Sequence, residues 1–458
     1  MTRVLLVALT LAALPLGSLA EETVVKLKVQ PMPAPKPILK YQLLPELREL
    51  NPGNPAQNYL KCFAEQRNFF YSKEAIAERT RYLSLPLADL PVEKLRQYGG
   101  SALRQADWAA RLDTPDWQLL QHVQKVGMDL PLLELGRLQL LGPALQVRFR
   151  AEVAGRRFDD AIRTAKTMFA LARHLGDHPT ESANLVGLSV AHLAVGTLEE
   201  MVQQPGCPNF YWALTDLPCP LVDLRKGLQG NRALVAADLR LLRDDAPMTE
   251  EQMEKFVSRL SGLLSFAREQ AGEAPRSLRT ELAVRVKDAE RVRAAQGRLI
   301  ESGSPEDLVR KLPSAQVILL DEKLDYETRR DEAMKLLGLA PWQIDALAGS
   351  KVPTHSEEGL FADLMPQVIS DRRAQGRLEQ RFGLLRHVEA LRLYAMDHDG
   401  GLPRTLAQIP LPLPDDPFTG KPLVYKVEEA TGHLCGSPPR GEEQNPCFNV
   451  RYEITIQQ

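Results

Sequence analysis

An excess of charge of one sign is missing: 57 Lys and Arg stand against 59 Asp and Glu in 458 residues, a formal net charge of −2. Such a balance gives no electrostatic reason to bind nucleic acid or an anionic membrane, both of which reward a basic patch. Cysteine is sparse as well. There are five, and none has the CxxC spacing of zinc or redox sites. Past the N-terminus the chain lacks an apolar run of the ~20 residues a membrane span needs. The stretch 185–198 is apolar nearly all round but too short, and Ser189 and His192 lie inside it, so it reads as a central core helix. Catalytic signatures are absent too: no G-x-S-x-G elbow, no H-E-x-x-H, no phosphate-cradling G-x-x-x-x-G-K-[ST], no G-x-G-x-x-G after a strand. The only catalytic option left is an enzyme with a dispersed site.

What is present begins with MTRVLLVALTLAALPLGSLAEE. Arg3 precedes an apolar run, and Ser18 and Ala20 take the −3 and −1 positions of a cleavage site before Glu21. This is the pattern of a secretory signal peptide over residues 1–20, and it sets an exported, periplasmic or extracellular location. The rival is retention as an anchor, against which Pro15 and Gly17 interrupt the run. In an exported protein, cysteines serve as staples. Cys207 and Cys219 flank one short segment and Cys435 and Cys447 another, so each pair is a candidate disulfide. Five buried thiols are the alternative.

Residues 21–56 are rich in proline and read as an extended arm over the surface. Residues 57–362 read as an α-helical body. LLELGRLQLLGPALQVRFRAEVAG and RRFDDAIRTAKTMFALARHLG meet at Gly155, as the two halves of a helical hairpin should. Gly155, Phe158, Ala161, Ala165 and Pro179 are weakly like the second helix of a tetratricopeptide repeat, yet no copy recurs at that repeat's period, so a hairpin rather than an array is expected. Thr249 and Gln252 form a capping box, and Leu278, Leu282, Val286 and Ala289 mark one solvated helix on a core. A last long helix spans about 363–396. Beyond Gly400, Val424, Val427, Val450, Tyr452, Ile454 and Ile456 carry strand patterns. The expected class is mainly α, antiparallel helical hairpins with a small C-terminal antiparallel β module in residues 363–458.

Within that end lies LYAMDHDGGLPRTLAQIPLPLPDDPFTGKPLVYK, residues 393–426. A helix ending in Tyr394, an Asp/Gly turn, Leu402-Pro403, and then Asp416-Pro417-Phe418-Thr419-Gly420-Lys421-Pro422 and Tyr425 resemble the soluble end of the type II secretion major pseudopilins. The chain departs from that family in its conventional signal peptide and in the long helical body ahead of the likeness. The resemblance implies a calcium loop near the sheet, with Asp415 and Asp416 matching its acidic ligands. Residues 107–232 are similar to exported helical proteins of planctomycete bacteria in the phrases FDDAIRTAKTMFALARHLGDHPT, NLVGLSVA and PNFYWALTDLPCPLVDLR. That likeness implies a bacterial cell-envelope setting and brings no activity with it.

Two clusters are candidates for metal chemistry. His174 and His178 are four apart, the spacing at which one helix face offers two imidazoles to a metal, with Glu181 and His192 nearby. Gly176 and Pro179 argue instead that the helix ends between them, leaving helix-terminal histidines. Asp397, Asp399 and Gly400 open like a calcium loop that Asp415 or Asp416 would complete, but position twelve is Gln408 rather than glutamate. The competing reading is a polar helix end and an Asp-initiated turn. The functional expectation is a non-enzymatic scaffold or interaction module with a protein partner in the cell envelope, no nucleic acid, no membrane span after cleavage, and no cofactor beyond that calcium. The alternative is an envelope hydrolase or metal-dependent enzyme with a dispersed site.

Overall fold

Apolar residues at three- and four-residue steps fold most of the chain into helices, as a computed structural model describes over residues 23–270, 274, 276–348 and 359–457. The expected signal peptide lies outside these residues. The longer helices are α1 (Pro55–Glu65), α2 (Lys73–Ser84), α3 (Gly100–Ala109), α4 (Leu133–Ala154), α5 (Phe158–Gly176), α6 (Glu181–Met201) and α7 (Arg225–Leu239). They continue with α8 (Glu250–Gln270), α9 (Leu278–Lys287), α10 (Ala289–Glu301), α11 (Ser314–Met334) and α12 (Val368–Met396). The strands are β1 (Thr23–Val29), β2 (Val424–Glu428), β3 (Thr431–Cys435) and β4 (Val450–Ile456). The protein is mainly α with a small β module, and among the described residues no helix is long and apolar enough to cross a membrane.

The sheet runs β1-β4-β3-β2 and is mixed rather than purely antiparallel. β3 pairs antiparallel with both neighbours, whereas β1 lies parallel to β4, with Leu27 opposite Ile454. The arm expected to run over the surface therefore starts as a strand. Its TVVKLKV alternates, with Leu27 and Val29 fully buried and Lys26 and Lys28 exposed. Leu434, Tyr452 and Ile454 share the buried face, and every one of them joins the main core.

That core also draws in α1, α3–α6 and α12, through residues such as Tyr59, Leu103, Phe149, Phe169, Leu188 and Leu391. A second core forms from the end of α7, α8–α11 and the pair Leu360 and Phe361. The apolar clusters thus divide the helical body differently from a boundary at residue 362. α12 belongs to the first core with the N-terminal helices, while 235–326 packs with Leu360 and Phe361 into the second.

Local chemistry explains the breaks. The capping box is formed: Gln252 N donates to Thr249 Oγ1 (3.2 Å) and Thr249 N to Gln252 Oε1 (2.9 Å). The one helix expected to carry Leu278, Leu282, Val286 and Ala289 is split into α9 and α10 at Asp288, whose carboxylate accepts from the backbone N–H groups of Glu290 and Arg291 and starts a new helix. Between α4 and α5 the left-handed residue is Arg156 (φ 53°), not Gly155 (φ −79°). A Cβ on Gly155 would meet Arg157 Nη1 at 2.6 Å, the movable end of a long side chain, and Val92 Cγ1 at 3.1 Å. Two more glycines let α7 lie against the turn after α5, since a Cβ on Gly227 would meet Asn184 Oδ1 at 1.9 Å and one on Gly230 the Pro179 carbonyl at 2.0 Å.

α12 is the element that gathers the rest. In its C-terminal half Glu389 and Arg392, both out of solvent, pair at 2.8 Å. Arg392 also donates to the carbonyls of Gln30, Cys207 and Pro208, and Glu389 Oε2 accepts from Phe210 N. Midway along, Arg381 forks onto Glu199 of α6 at 2.6 and 2.5 Å, and Tyr452 of β4 donates to the same carboxylate.

Candidate functional site

The two histidines read as a chelating pair face different partners. His174 sits in the last turn of α5 and His178 beyond its end, where the glycine and proline placed the break. Tyr59 Oη lies 3.0 Å from His174 Nδ1, while His178 Nδ1 is 2.9 Å from Thr180 Oγ1 and its Nε2 3.9 Å from Glu134. Asn184, fully buried, donates to the carbonyls of Leu175, Gly176 and His178 and so caps the helix from across the turn. Burial holds both imidazoles neutral, pushing His174 down to about 3 and His178 below its ordinary value. His192 is driven well below its ordinary value by burial and by Arg377 and Arg381.

The aspartates are not assembled either. Asp397 closes α12 and Asp399 takes a left-handed conformation in the turn after it, both exposed. Asp415 is exposed, but Asp416 is only 2 % exposed and its carboxylate is already in use. Oδ1 accepts from Phe418 N (3.0 Å) and Gln380 Nε2 (3.0 Å), and Oδ2 from Ser437 N (2.6 Å). The carboxylate ties the DPFTGKP turn to α12 and to the segment after β3. Among the described residues no three His, Cys, Asp or Glu side chains converge to hold a metal ion. Two outcomes are expected. Asp416→Ala lowers the unfolding free energy by about 3 kcal/mol, because three donors lose a charged acceptor. Added calcium or a chelator leaves the unfolding temperature of the wild type where it was; a calcium-dependent rise of several degrees would contradict this assignment.

The disulfide expectation is corrected: none of the five cysteines is bridged. Cys207 is buried beside Arg392, whereas Cys219 is exposed after a turn, so the two thiols sit in different environments despite their short separation. Cys435 ends β3 opposite Arg451, while Cys447 lies in the exposed turn that leads into β4. Burial raises the Cys62 thiol to about 12 and the Cys219 thiol to about 11, so neither is a ready thiolate.

Sequence reasoning missed a carboxyl pair. Glu181 opens α6 and Asp371 lies in the first turn of α12, where each carboxyl acts on the ionisation of the other. Asn231 of α7 donates to Glu181. Asp371 is 4 % exposed, and burial followed by the neighbouring Glu181 holds it well above the usual carboxylate range. Burial and a neighbouring carboxyl both disfavour the charged form, so the two groups resist ionising together.

The remaining feature is an open groove of about 470 Å³. The proline-rich arm forms one wall through Met32, Pro33, Pro35, Lys36 and Tyr41, and the α4–α5 turn and the 206–209 loop form the other. The arm is held in place by Met32 N on the Arg392 carbonyl (3.2 Å) and by Tyr41 against Phe210, ring centroids 6.0 Å apart. Lys40 lies over the Tyr41 ring at 5.0 Å. Nothing in the sequence brings residues 32–41 to 156–159; that juxtaposition follows from the buried Arg392.

The chain matches no protein-family model, no curated protein and no solved structure.

Proposed function

We propose that the protein is an exported, non-catalytic interaction module of a bacterial cell envelope, and that the groove under the proline-rich arm is its binding surface. The observation that carries this reading is the contrast between the charges inside and those in the groove. Glu389 with Arg392, Glu199 with Arg381, and Asp416 each fasten one element to another. Lys36, Lys40 and Arg156, exposed around the groove, are in no ion pair among the described residues. Charges spent on fastening leave little for catalysis, whereas unspent charges on a pre-formed concave surface suit recognition.

Export is supported by the N-terminal pattern: Arg3, the apolar run after it, and Ser18 and Ala20 ahead of Glu21. The unbridged cysteines lend export no further support. An envelope hydrolase is the second reading, favoured by the neighbouring carboxyls of Glu181 and Asp371, both raised by burial, since acid–base chemistry uses such pairs. Burial of Asp371 closes that pair to a polymeric substrate, and the interaction reading is preferred for that reason.

A photo-cross-linking amino acid at Asp159, in the groove, tests the reading in cells that make the protein. A control carries the same group at Lys426 on the exposed face of β2. Discrete protein adducts at position 159 and none at 426 are expected. Equal labelling at both positions, or none at 159, would remove the groove as an interaction site.

A further inference from the structure

Resting on the interaction reading, we propose that the groove binds an extended, acidic polypeptide segment, with Arg156 as its principal carboxylate contact. Three cations border it, and Asp159 is the one acidic residue that lines it. Asp159 already lies in the first turn of α5, where the helix dipole favours a negative charge, so the cations stay available to a ligand. Tyr41 and Phe158 give the surface apolar area between the charges, which suits a peptide more than a free ion. The prolines of the arm lack backbone donors and hold it extended, so little ordering is required on binding.

Arg156 stands out because of its backbone. It occupies the left-handed region at φ 53°, a conformation that an L residue with a side chain adopts at a cost and glycine adopts freely. The turn needs a left-handed residue, and glycine is next door at position 155, yet a long cation occupies the strained place. Strain retained at an exposed position points to a use for the side chain rather than for the turn. Its guanidinium offers paired donors that match a carboxylate.

This geometry supplies a variant that cannot fail by unfolding. Arg156→Gly removes the cation and relieves the backbone strain, so its unfolding temperature is expected to equal or exceed that of the wild type. Binding of fluorescein-labelled hexaglutamate to the full mature chain is then followed by polarisation, with labelled hexalysine as the charge control. Hexaglutamate is expected to bind, more weakly as salt rises, and hexalysine not to bind. Arg156→Gly is expected to weaken binding by about fivefold and the double variant Lys36→Gln/Lys40→Gln by about tenfold. Lys426→Gln, remote on β2, is expected to leave it unchanged.

Equal binding by wild type and Arg156→Gly overturns the proposal, as does an equal effect of Lys426→Gln. Vesicles of phosphatidylglycerol form a separate arm: vesicle binding that depends on Arg156, without hexaglutamate binding, assigns the groove to an anionic lipid surface and overturns the peptide. If hexaglutamate is ignored while adducts at position 159 persist, the ligand chemistry is wrong and the interaction module stands. Loss of those adducts removes the module itself.

Discussion

Arg392→Met is expected to lower the free energy of unfolding by about 3–5 kcal/mol, read from the urea midpoint at constant slope. The reasoning follows the contacts. The substitution leaves Glu389 as a carboxyl with no exposure to water and only Phe210 N to satisfy it. It also strips a donor from the carbonyls of Gln30, Cys207 and Pro208. The loss is therefore an uncompensated buried acid plus orphaned carbonyls, rather than one ion pair. Replacing both partners, Glu389→Leu with Arg392→Met, removes the uncompensated acid and is expected to recover part of the loss, though the carbonyls still lack a donor. Because the arm leaves β1 at Gln30, Arg392→Met is also expected to speed limited proteolysis within residues 30–41 ahead of global unfolding. A single variant within about 1 kcal/mol of the wild type, with the arm equally protected, would show that the arm and the groove are held by something else.

How much of this was legible depends on the range over which each signal acts. The capping box at Thr249, the strand alternation of 450–456 and the helix end between His174 and His178 are written in neighbouring residues, and all three are formed. β1 carried an equally local signal in TVVKLKV, but the prolines at 31, 33, 35 and 37 dominated the reading of the arm. Its partner lies at the other end of the chain, and parallel pairing leaves no turn signature. The break at Asp288 was readable in principle, since an aspartate ahead of a helical run is a capping residue, yet continuous apolar periodicity across it favoured one helix. The site was less legible still. Sequence lists acidic residues as potential ligands and does not tell that the Asp416 carboxylate is consumed by its own turn. Glu389 and Arg392 stand three apart on one helix. That their pair is buried and reaches Gln30, Cys207 and Phe210, and that Asp371 meets Glu181, depends on α12 packing against other segments. Composition records such residues only as helix-surface charge.

Burial of titratable groups makes stability depend on pH in two opposed ways. His174 and His387, pushed down to about 3 and about 4 chiefly by burial, are neutral in the fold and basic once exposed. Their contribution is complete above the unfolded value near 6.5 and is lost as pH falls toward the folded values, since the unfolded chain binds the extra protons. Asp371 and Glu181 act in the opposite sense. Burial raises both, and Glu152 is raised to about 7 for the same reason. In that case the folded state holds more protons, so their contribution is complete below the unfolded carboxylate values near 4 and declines as pH climbs through the folded ones. Asp371→Asn separates the two limbs. The amide keeps the shape, carries no titrating proton beside Glu181, and leaves the histidines untouched. At pH 5 the variant is expected to match the wild type within about 0.5 kcal/mol, and at pH 8.5 to exceed it by about 1–2 kcal/mol, roughly one unit of differential proton affinity. The check is a set of urea titrations across that range. Parallel curves would mean that Asp371 is not held protonated in the folded protein, and with it would go any acid–base role of Glu181 and Asp371.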